Sequence, residues 1–248
     1  MLNVVFGLIG LLAGGVINVL ADDLPARIRP RLPHCPNCDH QYGLLGWLSI
    51  GRRIQGPACP ECGQVHRRRP LMVELGTLLI FAALPSLIWP ALDLVVYSAF
   101  IAVLILIIVI DLEHRLVLHV VTFPSMAVAL VLSFFLTDNG PLLALAGGLV
   151  GFVFFFLAYL LGQRLFGPGA LGFGDVTLAT MMGLMLGFRY VFFALVLGIL
   201  LAGLWSLLGL LSGRMSRRAY FAYGPFLAAA GIVTIIWGDR FYAWFTNT

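Results

Sequence analysis

The chain has 248 residues, of which 61% are hydrophobic and only 10% are charged, and its mean hydropathy is +1.01. Soluble domains usually carry about 25% charged residues, so this composition excludes a water-soluble globular enzyme, a disordered protein and a nucleic-acid-binding protein. The net charge of +4 comes from 15 arginines against 11 acids. In a membrane protein such a basic excess is typical of cytoplasmic loops. The high apolar fraction predicts an all-α protein that crosses the bilayer several times.

Uncharged stretches predict about eight transmembrane helices, because each crossing needs about 20 apolar residues. In chain order we expect them near residues 2–21, 72–90, 94–111, 120–136, 141–162, 175–187, 190–211 and 219–237. The first run has no basic segment before it and ends in acids rather than at a small-residue cleavage site. We therefore expect this run to stay as the first transmembrane helix (1–21). A polar module (22–70) and a transmembrane domain of about seven helices (71–248) follow it.

The arginines predict the orientation of the chain in the membrane. Eight of them lie in the segment 22–70, which places this segment in the cytoplasm and the N-terminus outside. With eight spans, thirteen of the fifteen arginines fall on the cytoplasmic side. A seven-span alternative would put Arg214, Arg217 and Arg218 on the outer side.

All four cysteines lie in the polar module, as two Cys-x-x-Cys turns that twenty residues separate: Cys35, Cys38, Cys59 and Cys62. This spacing is typical of a zinc ribbon, in which two turns supply four thiolates to one tetrahedral Zn²⁺. The alternative is a pair of disulfides, but thiols stay reduced in the cytoplasm. Four thiolates leave no open position on the metal, so we expect a structural zinc rather than a catalytic one.

Two aspartates lie where a bilayer should exclude charge. Asp111 ends the apolar run of the third predicted helix, and Asp175 opens the sixth. The predicted topology brings both to the same membrane side at a similar depth, although 64 residues separate them. Two neighbouring carboxyl groups share a proton, so that one activates water while the other donates to a carbonyl, as in aspartic peptidases. An aspartate at a helix start is also a common helix cap, and that alternative stays open.

Glycines precede Asp175 in the sequence, at positions 169, 172 and 174. Gly172 and Gly174 carry no side chain, so we expect an extended substrate backbone to approach the aspartate over this loop. A third acid, Glu74, opens the second helix after three arginines. We expect it to pair with one of those arginines.

Six blocks of the chain together resemble the bacterial prepilin peptidase family, also called type IV leader peptidases, which are aspartic peptidases of the Gly-x-Gly-Asp type. The blocks are Gly15–Val19, the paired Cys-x-x-Cys turns, Arg69–Leu75, Ile110–Arg115, Gly172–Ala179 and Tyr223–Ala228. The last is similar to the Phe-Gly-Pro-Phe-Leu of the family. Thr177 stands where many members have lysine.

The resemblance implies that Asp111 and Asp175 are the catalytic pair. The enzyme would remove the leader from type IV prepilins or pseudopilins at the cytoplasmic face of the bacterial inner membrane. Many members also methylate the new N-terminus with S-adenosylmethionine, so that cofactor is implied by the resemblance alone. The partners would be these substrates and the lipid bilayer; the sequence predicts no nucleic-acid partner and leaves the number of subunits open.

The rival from another functional class is a proton- or cation-coupled transporter with Asp111 and Asp175 in the ion path, because intramembrane acids often serve ion transport. Both aspartates are predicted at one membrane edge rather than at the midplane, and the sequence shows no inverted repeat, which favours the peptidase. An assembly scaffold that docks through the cysteine module would leave the aspartates without a role.

Overall fold

The computed structural model describes residues 1–43, 46–88, 90–167, 171–213 and 223–246. These residues form eight α-helices and a short 3₁₀ turn at Leu84–Ser86, and the only β-pairing among them is two isolated bridges in the cysteine module. The helices are α1 (Leu2–Asp23), α2 (Ser49–Gln55), α3 (Arg69–Ala83), α4 (Ala91–His114), α5 (His119–Leu132), α6 (Pro141–Phe166), α7 (Phe173–Leu211) and α8 (Gly224–Thr246). The all-α prediction is thereby confirmed for the described residues.

Six helical segments in the described part of the chain are long and apolar enough to cross a membrane. They are Leu2–Asp23, Arg69–Ser86, Ala91–His114, Pro141–Leu165, Phe173–Leu211 and Gly224–Thr246. The shorter α5 is also apolar, and the 39-residue α7 consists of two helices that meet at Gly187. Counting α5 and both parts of α7 recovers the eight predicted segments. The expected start of the last helix, residue 219, lies outside the described residues.

The kink in α7 depends on Gly187 and Asn139. Gly187 has φ 74° and ψ 173°, a conformation that side-chain-bearing residues rarely adopt. The break frees carbonyl oxygens of the preceding turn, and the buried Asn139 amide donates hydrogen bonds to Met185 O at 3.1 Å and Leu184 O at 3.4 Å. The amide thus replaces the helical donors that the kink removes.

The chain divides into two compact units, Met1–Trp89 and Pro90–Thr248. In the first unit α1 packs against α3, and a buried hydrogen-bond network joins both helices to α2. Glu74 of α3 is fully buried and accepts hydrogen bonds from Ser49 N (2.8 Å) and Ser49 Oγ (2.6 Å) at the start of α2, and from Asn18 Nδ2 (3.4 Å) of α1. The expected pairing of Glu74 with a neighbouring arginine is therefore wrong.

In the second unit α7 packs against α5, α6 and α8, and α8 also packs against α4. The approach of α6 to α7 is close, because a Cβ on Gly183 would collide with the backbone of Gly147. Leu178, Met181 and Met182 are fully buried in the first part of α7. This packing brings together the end of α4, the start of α7 and the start of α8.

Candidate active site

Asp111 lies in the last turn of α4 and is only 4% exposed. Arg115, the residue that follows the helix, adopts a left-handed conformation (φ 55°) and donates its N–H to Asp111 O at 2.9 Å. The Arg115 guanidinium also attracts the Asp111 carboxylate electrostatically. The Asp111 carboxyl group is therefore buried, and the nearby Arg115 cation offsets part of the free-energy cost of burying its negative charge.

The start of α8 contacts Asp111 through its backbone. The Gly224 N–H donates a hydrogen bond to the Asp111 carboxyl group. A Cβ on Gly224 would collide with Asp111 Oδ2, so only glycine lets the α8 backbone come this close. The Gly-Pro-Phe block of the sequence thus has a physical role: it holds the carboxyl group of a residue more than a hundred positions earlier.

Asp175 lies in the first turn of α7, where a negative charge is favoured by the exposed N–H groups of the helix. Its carboxyl group accepts a hydrogen bond from the Gly172 N–H, and its own N–H donates to Gly172 O at 3.1 Å. The carboxylates of Asp175 and Asp111 repel each other electrostatically. The structure therefore brings the two sequence-predicted aspartates to one end of the second unit.

The glycines before Asp175 differ in what surrounds them. Gly174 lies in α7, where a Cβ would stand 2.8 Å from Val117 Cβ, so its small size permits close packing on the connection between α4 and α5. Gly172 precedes α7 with an ordinary backbone conformation, and a Cβ there would make only a van der Waals contact with Asp175 Oδ2. Approach of substrate over this loop stays a prediction. Gly169 lies outside the described residues.

Tyr223 is a residue of this site to which the sequence assigned no role. Its ring packs on Phe155 of α6, with 5.7 Å between the ring centroids, and its hydroxyl interacts electrostatically with Asp175. The hydroxyl oxygen is buried and has no hydrogen-bond partner among the described residues. The available signal was its position beside Gly224, which only the fold connects to the aspartates.

The four cysteines form a second cluster, in the first unit. Their sulfur atoms all lie within 4.8 Å of one another. Two pairs of sulfur atoms join the two turns, at 3.6 Å for Cys35–Cys62 and 3.7 Å for Cys38–Cys59. A disulfide would need about 2.05 Å between sulfur atoms, so these are four free thiols in an arrangement that fits one zinc ion.

The backbone of the two cysteine turns repeats closely. Cys35 N donates to His40 O at 2.8 Å, and Cys59 N donates to Gln64 O at 2.9 Å, five residues on in each case. Cys35 O and Cys59 O likewise each accept, at 3.0 Å, the N–H of the residue four positions later, and both of those residues have a left-handed backbone. Two equivalent turns facing each other supply two sulfur atoms each, which is how a tetrahedral zinc site is built.

Backbone N–H groups inside the turns favour thiolates. The Cys62 N–H donates to Cys59 and lowers the pKa of its thiol to about 6, although burial acts in the opposite direction. Metal binding requires the deprotonated sulfur. The backbone of the second turn therefore favours the deprotonated form of Cys59, which is the form that binds a metal ion.

Comparison with known proteins finds similarity to one family over part of the chain. Residues 98–207, which include both aspartates, match the Type IV leader peptidase family. The "Prepilin leader peptidase/N-methyltransferase" of Myxococcus xanthus (strain DK1622) is 32% identical over 226 residues, covering 88% of this chain and 64% of that relative. This chain thus spans slightly less than two thirds of the Myxococcus protein.

Two further relatives carry the same name. The protein of Aeromonas salmonicida (strain A449) is 26% identical over 221 residues, covering 86% of this chain and 74% of the relative. That of Stutzerimonas stutzeri is 27% identical over 274 residues, covering 95% of this chain and 90% of the relative. No solved structure matches this chain.

Proposed function

We propose that this chain is a member of the type IV leader peptidase family, to which its residues 98–207 are similar, and that it is a membrane-embedded aspartic endopeptidase that removes the leader from type IV prepilins or pseudopilins. Asp111 and Asp175 are the catalytic residues. One observation carries the proposal: two carboxyl groups that are remote in sequence, one in the last turn of α4 and one in the first turn of α7, converge at one end of a helical membrane unit.

The reaction follows from the proximity of the two carboxyl groups. Two such groups do not both ionise readily, so the pair holds one proton between them. The ionised aspartate takes a proton from a water molecule, whose oxygen attacks the carbonyl carbon of the scissile peptide bond. The protonated aspartate donates its proton to the carbonyl oxygen. Backbone donors at Gly172 and Gly224 hold the two carboxyl groups in place during these transfers.

Cleavage takes place at the cytoplasmic face of the bacterial inner membrane. The arginine-rich segment 22–70 supports the cytoplasmic placement of the cysteine module and of the loops on the same side. The transmembrane part of a pilin precursor would remain in the bilayer while its leader junction meets the aspartates. The four cysteines hold a structural zinc that folds the module, because a segment this small has little core of its own.

Methylation of the new N-terminus is the second activity that we propose, with S-adenosylmethionine as the methyl donor. The names of the relatives support it. The described residues contain no strand–turn–helix unit of the kind that binds nucleotides in soluble enzymes. The support for this cofactor therefore comes from the names of the relatives alone.

The test is to incubate the purified full chain in detergent with a prepilin, with and without S-adenosylmethionine, and to weigh the products. We expect the loss of the leader under both conditions and the added mass of one methyl group only with S-adenosylmethionine. Intact prepilin under both conditions, together with proton or cation flux into liposomes that contain the protein, would replace the peptidase by the transporter.

A further inference from the structure

Aromatic rings surround the residue that lies two positions before Asp175. Phe173 is the first residue of α7 and is 44% exposed. The Asp175 N–H donates to Gly172 O at 3.1 Å, so Phe173 lies inside the turn that this hydrogen bond closes. The Phe173 side chain therefore starts from the same turn of backbone as the proposed catalytic carboxyl group.

Two rings from neighbouring helices contact Phe173. The ring of His119, the first residue of α5, lies 6.4 Å from the Phe173 ring between centroids, at an interplanar angle of 86°. The ring of Tyr159 in α6 lies 5.9 Å away, at 76°. Both are edge-to-face contacts, which aromatic pairs favour. The two neighbours thus hold the Phe173 ring while nearly half of the residue stays uncovered.

The aromatic surface continues from Tyr159 along one face of α6. Phe156 and Phe152 follow at spacings of three and four residues, which places the three side chains on the same side of the helix. Their ring centroids are 6.3 Å apart for Tyr159–Phe156 and 5.2 Å apart for Phe156–Phe152. At 1.5 Å per residue this aromatic strip (Tyr159, Phe156, Phe152) is about 10 Å long. It leads from the start of α7 toward the middle of α6.

Aromatic side chains near the ends of membrane helices also anchor proteins at the lipid interface, a role that favours tyrosine and tryptophan. Two of the three residues in the strip are phenylalanines, which lack the polar group that holds those two side chains at the headgroups. The strip also reaches the turn that carries Asp175. These two features favour the binding of an apolar segment of substrate over an interfacial anchor.

We propose that Phe173 determines which residue is accepted directly after the cleaved bond, by packing against an apolar side chain at that position. This inference rests on the proposed peptidase function, in which the transmembrane part of the precursor stays in the bilayer. The helix that follows the cleaved bond would then pack along the aromatic strip of α6. An apolar side chain fits the Phe173 ring, whereas a polar one would lose its hydrogen bonds to water there without replacement.

The test is the preference of the full chain between two prepilins that differ only in the residue directly after the cleaved bond, leucine in one and asparagine in the other. The two side chains have nearly the same size, so the ratio of the two kcat/KM values reports their polarity. We expect the wild-type chain to favour leucine by about 10²-fold and Phe173→Ala to lower this preference by about tenfold, because asparagine is then less desolvated. The ratio cancels any general loss of activity in the variant.

Phe188→Ala is the matched control. Phe188 is 45% exposed and makes an edge-to-face contact with Phe192 at 5.8 Å, so the substitution removes a ring of equal exposure from the same helix. It lies about 20 Å along α7 from Asp175, and we expect the control to keep the wild-type preference. Phe173→Leu, which keeps apolar surface, should lose less of the preference than Phe173→Ala.

An unchanged preference in Phe173→Ala, whether the variant is fast or slow, would overturn the inference and leave the peptidase in place. A wild-type chain that cleaves neither prepilin would instead remove the proposed function, and this inference with it.

A photocrosslink tests the path of the substrate helix without relying on turnover. Benzoylphenylalanine at position 152 of the strip should join the chain to a bound prepilin on illumination, whereas the same residue at position 192, which is also exposed, should not. Mass spectrometry of the joined peptides identifies the contact. No joined product at position 152, in a chain that cleaves prepilin, would overturn the placement of the substrate along α6.

Discussion

Gly224 sets how closely α8 approaches Asp111. A Cβ at this position would collide with Asp111 Oδ2, and the Gly224 N–H bonds the same carboxyl group. We expect Gly224→Ala to push the carboxyl group away from its place and to lower kcat by about 10²-fold, since small misplacements of reacting groups are costly. Initial rates of prepilin cleavage measure the effect.

The matched control for this substitution is Gly203→Ala. Gly203 lies in α7, where a Cβ would meet no atom within 4 Å, and alanine is a better helix former than glycine by about 1 kcal/mol. We expect the control to cleave at the wild-type rate. An equally fast Gly224→Ala would mean that the approach of α8 to Asp111 has no part in catalysis.

At the scale of single residues the sequence singles out some positions and misses others. Asp111 and Asp175 stand out because a charge within an apolar run requires a reason, and their catalytic role stays a proposal. The partner of Glu74 was not predictable, because Ser49 and Asn18 reach it only once α1, α2 and α3 pack together. An arginine close to Glu74 in sequence therefore did not identify the residues that bind its carboxyl group in the folded chain.

The kink in α7 is an element whose stability depends on one side chain. The Asn139 amide donates to Leu184 O and Met185 O beside the break. We expect Asn139→Asp, which keeps the shape but removes both donors, to lower the free energy of unfolding by about 1–3 kcal/mol, because it leaves buried carbonyl oxygens without partners. Denaturant unfolding in detergent measures the change.

Asp138→Asn is the neighbouring control, since Asp138 is exposed and its substitution should change the unfolding free energy by less than about 0.5 kcal/mol. If Asn139→Asp unfolds at the same denaturant concentration as the control, the amide does not stabilise the kink.

The stability of the cysteine module should fall when its metal is removed and also when the pH is lowered. The pKa of Cys59 is lowered to about 6 by the Cys62 N–H, so the stability that its thiolate contributes is present at high pH and is lost as the pH falls through about 6. We expect one zinc ion per chain at neutral pH, and its release on acidification below that value. Elemental analysis after dialysis at several pH values measures this, with Cys59→Ser as the metal-poor comparison. A metal-free chain at neutral pH would contradict the prediction.

At the scale of elements, two sequence signals predicted the structure well: the spacing of the cysteines and the length of the apolar runs. The Cys-x-x-Cys spacing predicted the four-sulfur cluster, because each turn closes locally by its own backbone hydrogen bonds. Apolar length predicted the helices, and it placed the boundary between the sixth and seventh beside Gly187, where the two helices of α7 meet. The sequence could not show how this break is held, since it depends on Asn139, which lies before α6.

At the scale of the whole molecule, the arginines predict how the chain lies in the membrane. An eight-span arrangement puts both termini outside and the segment 22–70 in the cytoplasm. We expect alkaline phosphatase fused after Thr248 to be active in the periplasm, and a fluorescent protein inserted near residue 43 to fluoresce in the cytoplasm. An inactive phosphatase at the C-terminus would favour the seven-span alternative, in which Arg214, Arg217 and Arg218 lie on the outer side of the membrane.

Convergence of the two aspartates is a property of the second unit rather than of any segment within it. Asp111 ends α4 and Asp175 begins α7, and each is held by backbone from a different place: α8 for Asp111 and the residue before α7 for Asp175. Span counting predicted a common side and depth. It could not predict the backbone of Gly224 at Asp111 or the hydroxyl of Tyr223 near Asp175, because both depend on how α8 packs against α4 and α7.

The most direct test of the account is the rate of prepilin cleavage by Asp111→Asn and by Asp175→Asn, each compared with the wild-type chain at equal folded concentration. Asparagine keeps the size of the side chain but cannot share or transfer the proton, so each variant should lose at least about 10³-fold in kcat while its thermal unfolding midpoint does not fall. Cleavage near the wild-type rate by either folded variant would contradict a two-aspartate mechanism.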